Sequence, residues 1–105
     1  MPWFVYILRC GDGSLYTGIT TDLAKRLAAH RRGRGSKYTR ARHPLALVYL
    51  ESRASRSAAL RREAAVKSLP RAQKLRLIAE HSAGREGAAR PGSPSHAIAT
   101  RLRAD

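Results

Sequence analysis

The stretch that decides the fold runs from Phe4 to Thr20 and reads Phe4-Val5-Tyr6-Ile7-Leu8-Arg9-Cys10-Gly11-Asp12-Gly13-Ser14-Leu15-Tyr16-Thr17-Gly18-Ile19-Thr20. Two runs rich in aromatic and β-branched residues flank a Gly-Asp-Gly turn signal, which predicts a β-hairpin. With these three residues as the loop, Leu8 pairs with Tyr16 and Tyr6 with Gly18. Both tyrosines then lie on one face of the sheet, and Gly18 leaves space beside Tyr6. A two-residue loop would put them on opposite faces, but a three-residue loop is the register that we expect.

The composition predicts a polyanionic partner. The chain has 105 residues, enough for one domain with a modest core, and its 21 Lys and Arg against 7 Asp and Glu give a net charge of +14. Nucleic acid is the first candidate partner and an anionic membrane surface the second. No apolar run approaches the roughly 20 residues of a membrane span, and the single Cys10 excludes an internal disulfide and a cysteine-based zinc site. We expect a cytoplasmic protein with no membrane partner and no small-molecule cofactor.

The first helix is predicted directly after the hairpin. Thr21 or Asp22 is a suitable N-cap, and the helix should run over residues 23–32. Arg26 and His30 are four residues apart, so they lie on one flank of this helix. By themselves they are consistent with an ordinary solvated helix surface.

Residues 31–44 form the most basic segment and are predicted to be a loop. Its one aromatic residue, Tyr38, lies between Lys37 and Arg40. This pattern suits contacts to phosphates or stacking on a base, although such a segment can also serve only as solubilising charge.

The remaining elements follow from apolar runs and helix signals. Residues 45–51 predict a third strand that is central or covered on both faces. A second helix should start at Ser55 or Ser57 and run to about residue 68, and a third should run from Pro70 to about residue 81. We expect one domain over residues 1–81 and a flexible basic tail over residues 82–105, in which residues 96–103 could form a short helix.

One carboxylate stands out. On the second predicted helix, Leu60, Glu63, Ala64 and Lys67 fall on one side, which is expected to be the packed face. The chain has too few acidic residues for the carboxylate cluster of a two-metal site, but one carboxylate with waters and a substrate phosphate can hold a single Mg²⁺. A helix-stabilising ion pair between Glu63 and Lys67 is the simpler alternative.

The other candidate residues suit chemistry at a phosphodiester. Its hydrolysis needs a base for the attacking water and positive charge at the phosphate. Tyr6 or Tyr16 could be the base, but a phenol with a reference pKa of about 10 needs a nearby cation or metal-bound water. Arg26 could grip two phosphate oxygens, and His30 could polarise a phosphate or protonate the leaving oxygen.

In order and spacing these residues resemble the GIY-YIG nuclease domain, and in particular the small proteins grouped as UPF0213. The resemblance covers residues 2–78 and rests on Val5-Tyr6-Ile7, Tyr16-Thr17-Gly18, Arg26-x-x-x-His30 and Glu63. It implies an α+β fold of order β-β-α-β-α-α, in which helices flank a three-stranded antiparallel sheet. It also implies DNA cleavage that depends on one Mg²⁺ or Mn²⁺ ion.

The resemblance also implies roles for single residues. By position, Tyr6 is the tyrosine of the first motif, Tyr16 and Gly18 belong to the second, and Arg26 and His30 are the family's arginine and histidine. Glu63 takes the place of the metal-binding glutamate. Phe4 stands where the first motif has its glycine, a change that removes no chemical group.

The main hypothesis is therefore a metal-dependent endonuclease. Tyr6, assisted by Tyr16, would activate a water, Arg26 and His30 would stabilise the phosphate, and Glu63 would hold the ion. Nucleic acid, most simply DNA, would be bound by Lys37, Tyr38, Arg40 and Lys67. The rival hypothesis is a basic nucleic-acid-binding module with the same fold and no turnover. A ribosome- or membrane-associated protein would explain the charge but not the spacing of the motifs.

Overall fold

The strand at the centre of the molecule is the first one. The computed structural model describes residues 2–88, with side chains for residues 2–82. Its strands are β1 (Trp3–Arg9), β2 (Leu15–Thr20) and β3 (Ala46–Arg53). They form one sheet of order β2-β1-β3, and both pairings are antiparallel. The helices are α1 (Leu23–Arg31), α2 (Lys37–Arg40), α3 (Arg56–Ser68) and α4 (Arg71–Ala88). The predicted α+β class and three-stranded antiparallel sheet are confirmed.

The hairpin has the odd-length loop that the sequence predicts. Tyr6 pairs with Gly18 and Leu8 with Tyr16. The loop closes where Cys10 N donates to Ser14 O at 2.9 Å. Gly13 takes a φ of 85°, the left-handed conformation that glycine adopts without steric cost. The two tyrosines therefore share one face of the sheet.

The helix starts are set by side-chain caps. Asp22 Oδ1 accepts from Lys25 N at 3.1 Å at the start of α1, and Ser55 Oγ accepts from Ala58 N at 3.1 Å at the start of α3. The prediction of a loop throughout residues 31–44 is wrong, because Ser36 caps the short helix α2 within it. This turn brings residues 35–39 against α1.

β3 differs in one respect from its prediction. It lies at the edge of the sheet and pairs only with β1, so a central position is wrong. The other alternative, cover on both faces, describes its first half. Leu47 joins an apolar cluster with Tyr6, Leu8 and Leu27, and Tyr49 joins a second cluster with Ile7 on the opposite face.

The packed side of α3 is not the predicted one. Ala59 and Val66 are buried, whereas Leu60 is 38% exposed, and Ala64 and Lys67 also face solvent. Glu63 lies at the border of the packed side, with 19% of its side chain exposed. The two buried positions, Ala59 and Val66, are seven residues apart, and the exposed leucine between them misleads a prediction from the sequence pattern.

α4 is longer than predicted. It continues past residue 81 to Ala88, so residues 82–88 of the predicted tail are helical. Ile78 is buried as expected, but Leu75 is exposed. The rest of the predicted tail, including the suggested helix over residues 96–103, lies outside the described residues. Within residues 2–88, no helix is both long and apolar enough to cross a bilayer.

Candidate active site

Three aromatic rings from three elements meet on one face of the sheet. Tyr6 of β1 and Tyr16 of β2 have ring centroids 6.4 Å apart. His30 of α1 lies edge-on to both, with centroids 5.8 Å from Tyr6 and 5.2 Å from Tyr16. The hairpin register supplies the two tyrosines, and the packing of α1 across them supplies the imidazole. The structure thus brings together three of the predicted site residues.

Tyr6 is one of the two buried members of this group. It has no exposed surface, and its Oη lies 2.8 Å from His30 Nε2. Arg26 Nε donates to the same oxygen at 3.4 Å. Burial raises the pKa of Tyr6 to about 12, although the hydrogen bond from Arg26 opposes this shift. Tyr6 is therefore a neutral phenol at neutral pH.

Gly18 allows Tyr6 to lie against the neighbouring strand. A Cβ at this position would be 2.5 Å from Tyr6 Oη and 2.7 Å from Cζ. The space that the sequence predicts beside Tyr6 is thus filled by the tyrosine's own ring. This close approach explains the glycine in the second motif without giving it a chemical role.

His30 is also fully buried, and its two ring nitrogens both have partners. Nε2 meets Tyr6, and Nδ1 lies 2.9 Å from Thr39 Oγ1. Burial, followed by electrostatic interactions with Arg26 and His43, lowers the pKa of His30 to about 4. The imidazole is neutral at pH 7. The expectation that His30 contacts a phosphate directly is not met, because it has no exposed surface.

Arg26 is partly exposed and is held from two sides. Nε donates to Tyr6, and Nη2 donates to the carbonyl oxygen of Gly35 at 2.9 Å. The hydrogen bond to Tyr6, and after it interactions with Tyr16, raise the pKa of Arg26. A permanent positive charge is therefore fixed beside both tyrosines.

The exposed edge of the site is an aromatic stack. Tyr38, which is 37% exposed, stacks on Tyr16 with centroids 6.1 Å apart and an angle of 29° between planes. The Arg42 guanidinium lies 4.0 Å from the centre of the Tyr38 ring and forms an ion pair with Asp12 at 3.1 Å. Arg42 Nη1 also donates to Tyr38 O at 2.9 Å. Lys37 and Arg40, on either side of Tyr38 in sequence, are exposed.

Glu63 is close to the site but does not join its hydrogen-bond network. α3 packs against β1 and β2, and the charge of Glu63 contributes to the raised pKa of Tyr6. Its carboxylate pairs with Lys67 Nζ at 3.4 Å, so the predicted nucleic-acid contact Lys67 is engaged with the predicted metal ligand. The ion-pair alternative is thus realised.

The side chains near the site could bind only a metal ion that takes few ligands from the protein. Among the residues that the structure describes, no group of three or more His, Cys, Asp or Glu side chains could enclose a metal. Glu63 is a single hard carboxylate with 19% of its side chain exposed, and its charge acts on Tyr6. Mg²⁺ commonly keeps several waters and takes one or two carboxylates with substrate phosphates, so the residues present are compatible with it.

Residues 35–39 contact both Arg26 and His30, a support for the site that sequence reasoning missed. Gly35 accepts the hydrogen bond from Arg26, and a side chain at Gly35 would collide with the His30 ring. Thr39 is completely buried against His30, and Ser36 Oγ accepts from Thr39 N at 3.0 Å. The Ser-x-x-Thr spacing is an N-cap pattern and was the available signal.

The fold and the tyrosine pair beside a fixed arginine define the class of the protein. The family model described as the GIY-YIG catalytic domain matches residues 2–76, and the chain belongs to this nuclease-type family. Similar proteins from staphylococci carry the name UPF0213, as the sequence resemblance predicts. The UPF0213 protein SH2523 of Staphylococcus haemolyticus is 51% identical over 77 residues, which cover 73% of this chain and 94% of that protein.

Two solved structures support the same placement. The solution NMR structure of the UPF0213 protein BH0048 from Bacillus halodurans matches with a TM-score of 0.55 and 41% identity, and covers 89% of this chain and 99% of that one. The solution NMR structure of protein EF2693 from E. faecalis matches with a TM-score of 0.55 and 38% identity, and covers 77% of this chain and 88% of that one.

Proposed function

We propose that this protein is a metal-dependent endonuclease that hydrolyses phosphodiester bonds of DNA. The observation that carries the proposal is the placement of Tyr16 and Arg26, both partly exposed, over the buried pair of Tyr6 and His30. A base and a fixed cation at one surface are what hydrolysis of a phosphodiester needs. We assign the activity to the domain over residues 1–81 and to the cytoplasm.

The burial of Tyr6 changes the part that the sequence hypothesis gave it. A base must touch the water that it activates, and Tyr6 has no exposed surface. Among the described residues, the only hydrogen-bonding neighbour of Tyr6 that can accept a proton is His30. With the pKa of the phenol raised to about 12 and the pKa of the imidazole lowered to about 4, that transfer is strongly unfavourable. Tyr16 is therefore the tyrosine that acts on the water, and Tyr6 is a positioning residue.

Arg26 binds the phosphate in this proposal. A guanidinium can pair with two phosphate oxygens at once, and its charge offsets the negative charge that gathers there during hydrolysis. Its hydrogen bonds to Tyr6 and Gly35 fix it before substrate arrives, so less side-chain entropy is lost on binding. His30 supports this arrangement through Tyr6.

Glu63 would hold one Mg²⁺ or Mn²⁺ ion. The bound ion would supply a Lewis acid at the phosphate and lower the pKa of a bound water. Lys67, whose ammonium now pairs with Glu63, would be released to bind the nucleic-acid backbone. On α2, Lys37 and Arg40 would contact phosphates, and Tyr38 would stack on a base.

Cleavage of a panel of DNA structures in Mg²⁺ tests the proposal. Glu63→Ala and Arg26→Ala should each abolish cleavage while circular dichroism remains that of the parent. Glu80→Ala and Lys25→Ala remove matched charges from exposed positions on α4 and α1, and both should cleave at the parental rate. Unchanged cleavage in either site variant would refute the residue assignment.

A nucleic-acid-binding module without turnover is the second candidate. The pairing of Glu63 with Lys67 favours it, because that pair needs no metal to be satisfied. This candidate predicts strongly salt-dependent binding with no cleavage in Mg²⁺ or Mn²⁺ on any substrate of the panel.

A further inference from the structure

A buried hydrogen-bond chain runs from α2 to the arginine of the site. Thr39 Oγ1 meets His30 Nδ1 at 2.9 Å, and His30 Nε2 meets Tyr6 Oη at 2.8 Å. Arg26 Nε then donates to Tyr6 Oη at 3.4 Å. Thr39, His30 and Tyr6 have no exposed surface, so water cannot substitute for any of these partners.

Counting donors settles the direction of this chain. Arg26 has only donors, so the Tyr6 hydroxyl proton cannot point toward it and must go to His30 Nε2. A neutral imidazole carries one ring proton, which then has to be on Nδ1 and to be donated to Thr39 Oγ1. Thr39 Oγ1 has two acceptors for its own proton on Ser36, Oγ at 3.0 Å and the backbone oxygen at 3.4 Å.

The opposite tautomer would disturb the arginine. With the ring proton on Nε2, the imidazole would donate to Tyr6 Oη, and neither His30 nor Arg26, the partners of Tyr6 within the described residues, could accept its hydroxyl proton. Burying the Tyr6 hydroxyl without an acceptor for its proton costs free energy. If that proton pointed toward Arg26, two donors would face each other. Only the Nδ1–H form gives the Tyr6 hydroxyl proton an acceptor and still leaves an oxygen lone pair facing Arg26 Nε.

We propose that Thr39 is a positioning residue of the site. By accepting from Nδ1–H it holds His30 in one tautomer, and through Tyr6 it fixes the guanidinium of Arg26. The same segment binds Arg26 a second time through the carbonyl of Gly35. Residues 35–39 thus set the position of the Arg26 guanidinium. In this proposal neither the Gly35 carbonyl nor the Thr39 hydroxyl contacts the substrate.

The tautomer is measured directly by ¹H–¹⁵N correlation NMR of the imidazole in the wild-type protein at pH 7. Bare and protonated ring nitrogens have well-separated ¹⁵N shifts, and the His30 signals are identified by linking them to the backbone assignment. The expected result is His30 with its proton on Nδ1. A proton on Nε2 would overturn the proposal, and this measurement requires no variant and no activity.

Thr39→Val and Thr39→Ser provide the second measurement. Valine has the same shape without the hydroxyl, whereas serine keeps the acceptor. Exchange of the Arg26 Nε–H with water should be about 5- to 150-fold faster in Thr39→Val, the range expected when a partly buried N–H loses its hydrogen-bond acceptor. Thr39→Ser should remain within about threefold of the wild type. Equal exchange in the valine variant and the wild type would overturn the proposal; if Thr39→Val does not fold, the wild-type tautomer decides alone.

The kinetic consequence rests on the proposed function. In a cleavage assay Thr39→Val should lower kcat by a similar factor and leave KM nearly unchanged, and Thr39→Ser should restore kcat. Absence of cleavage in the wild type would refute the nuclease function, whereas the tautomer and the exchange rate would still decide the role of Thr39.

Discussion

A methyl group added at Gly18 should destabilise the protein by displacing Tyr6. The Cβ of Gly18→Ala would lie 2.5 Å from Tyr6 Oη and 2.7 Å from Cζ, and both distances are too short for non-bonded atoms. Tyr6 cannot turn away into solvent, because it is fully buried and its hydroxyl is bound by His30 and Arg26. Either the strand pairing or the tyrosine must shift.

The cost follows from two opposing effects. Overpacking a core of this kind costs about 1–3 kcal/mol, and the displaced hydroxyl weakens hydrogen bonds that contribute about 1 kcal/mol each. Replacing glycine by alanine also restricts the unfolded chain, which returns about 0.4–1 kcal/mol. The net loss is about 1–3 kcal/mol, which for a domain of this size lowers Tm by roughly 5–20 °C.

Thermal unfolding followed by circular dichroism measures this loss. Gly18→Ala in a Tyr6→Phe background is the matched control, because the nearest clashing atom is then absent while Cζ remains. The penalty should shrink there without vanishing. A Tm for Gly18→Ala within about 2 °C of the wild type would refute the close packing on which the site depends.

The other predictions concern pH and nucleic-acid binding. Burial holds the pKa of His30 at about 4 in the folded protein against 6.5 in the unfolded chain, so the unfolded state takes up a proton first. The free energy of unfolding should fall by on the order of 3 kcal/mol between pH 6.5 and pH 4. Tyr38→Ala should weaken binding of an oligonucleotide by about 5- to 150-fold, which corresponds to the free energy of stacking one base on an aromatic ring. Removing Lys37 and Arg40 together should reduce the slope of log K against log salt by about 2.

Each of these has its own control. Urea titrations at several pH values should show a flatter profile for His30→Gln, and an identical profile would contradict the neutral buried imidazole. Tyr38→Phe keeps the ring and should bind like the wild type in fluorescence anisotropy. An unchanged salt slope after loss of Lys37 and Arg40 would remove α2 from the binding surface.

The hairpin and most helix starts could be predicted because their determinants are local. The odd-length Gly-Asp-Gly loop fixes which face Tyr6 and Tyr16 occupy, and the caps at Asp22 and Ser55 need only a few neighbouring residues. The family relationship follows from the same short motifs.

The parts that sequence reasoning missed depend on distant contacts. Arg26 and His30 suggest a solvated helix flank, yet His30 is buried by Thr39 from a segment nine residues away and by Tyr6 from another strand. The buried face of α3 is set by Ala59 and Val66, whereas the leucine nearby is exposed. Hydrophobic periodicity in a sequence does not predict which polar side chains, such as His30, will be buried with hydrogen-bond partners.

The most direct measurement of the central claim compares the two tyrosines. In a cleavage assay with Mg²⁺, Tyr16→Phe should lower the rate by about 10²–10⁴-fold, the typical contribution of a general base. Tyr6→Phe should lower it by only about 5- to 150-fold, since it removes one buried hydrogen-bonding partner. A larger loss in Tyr6→Phe than in Tyr16→Phe would contradict the assignment of Tyr16 as the group that meets the water.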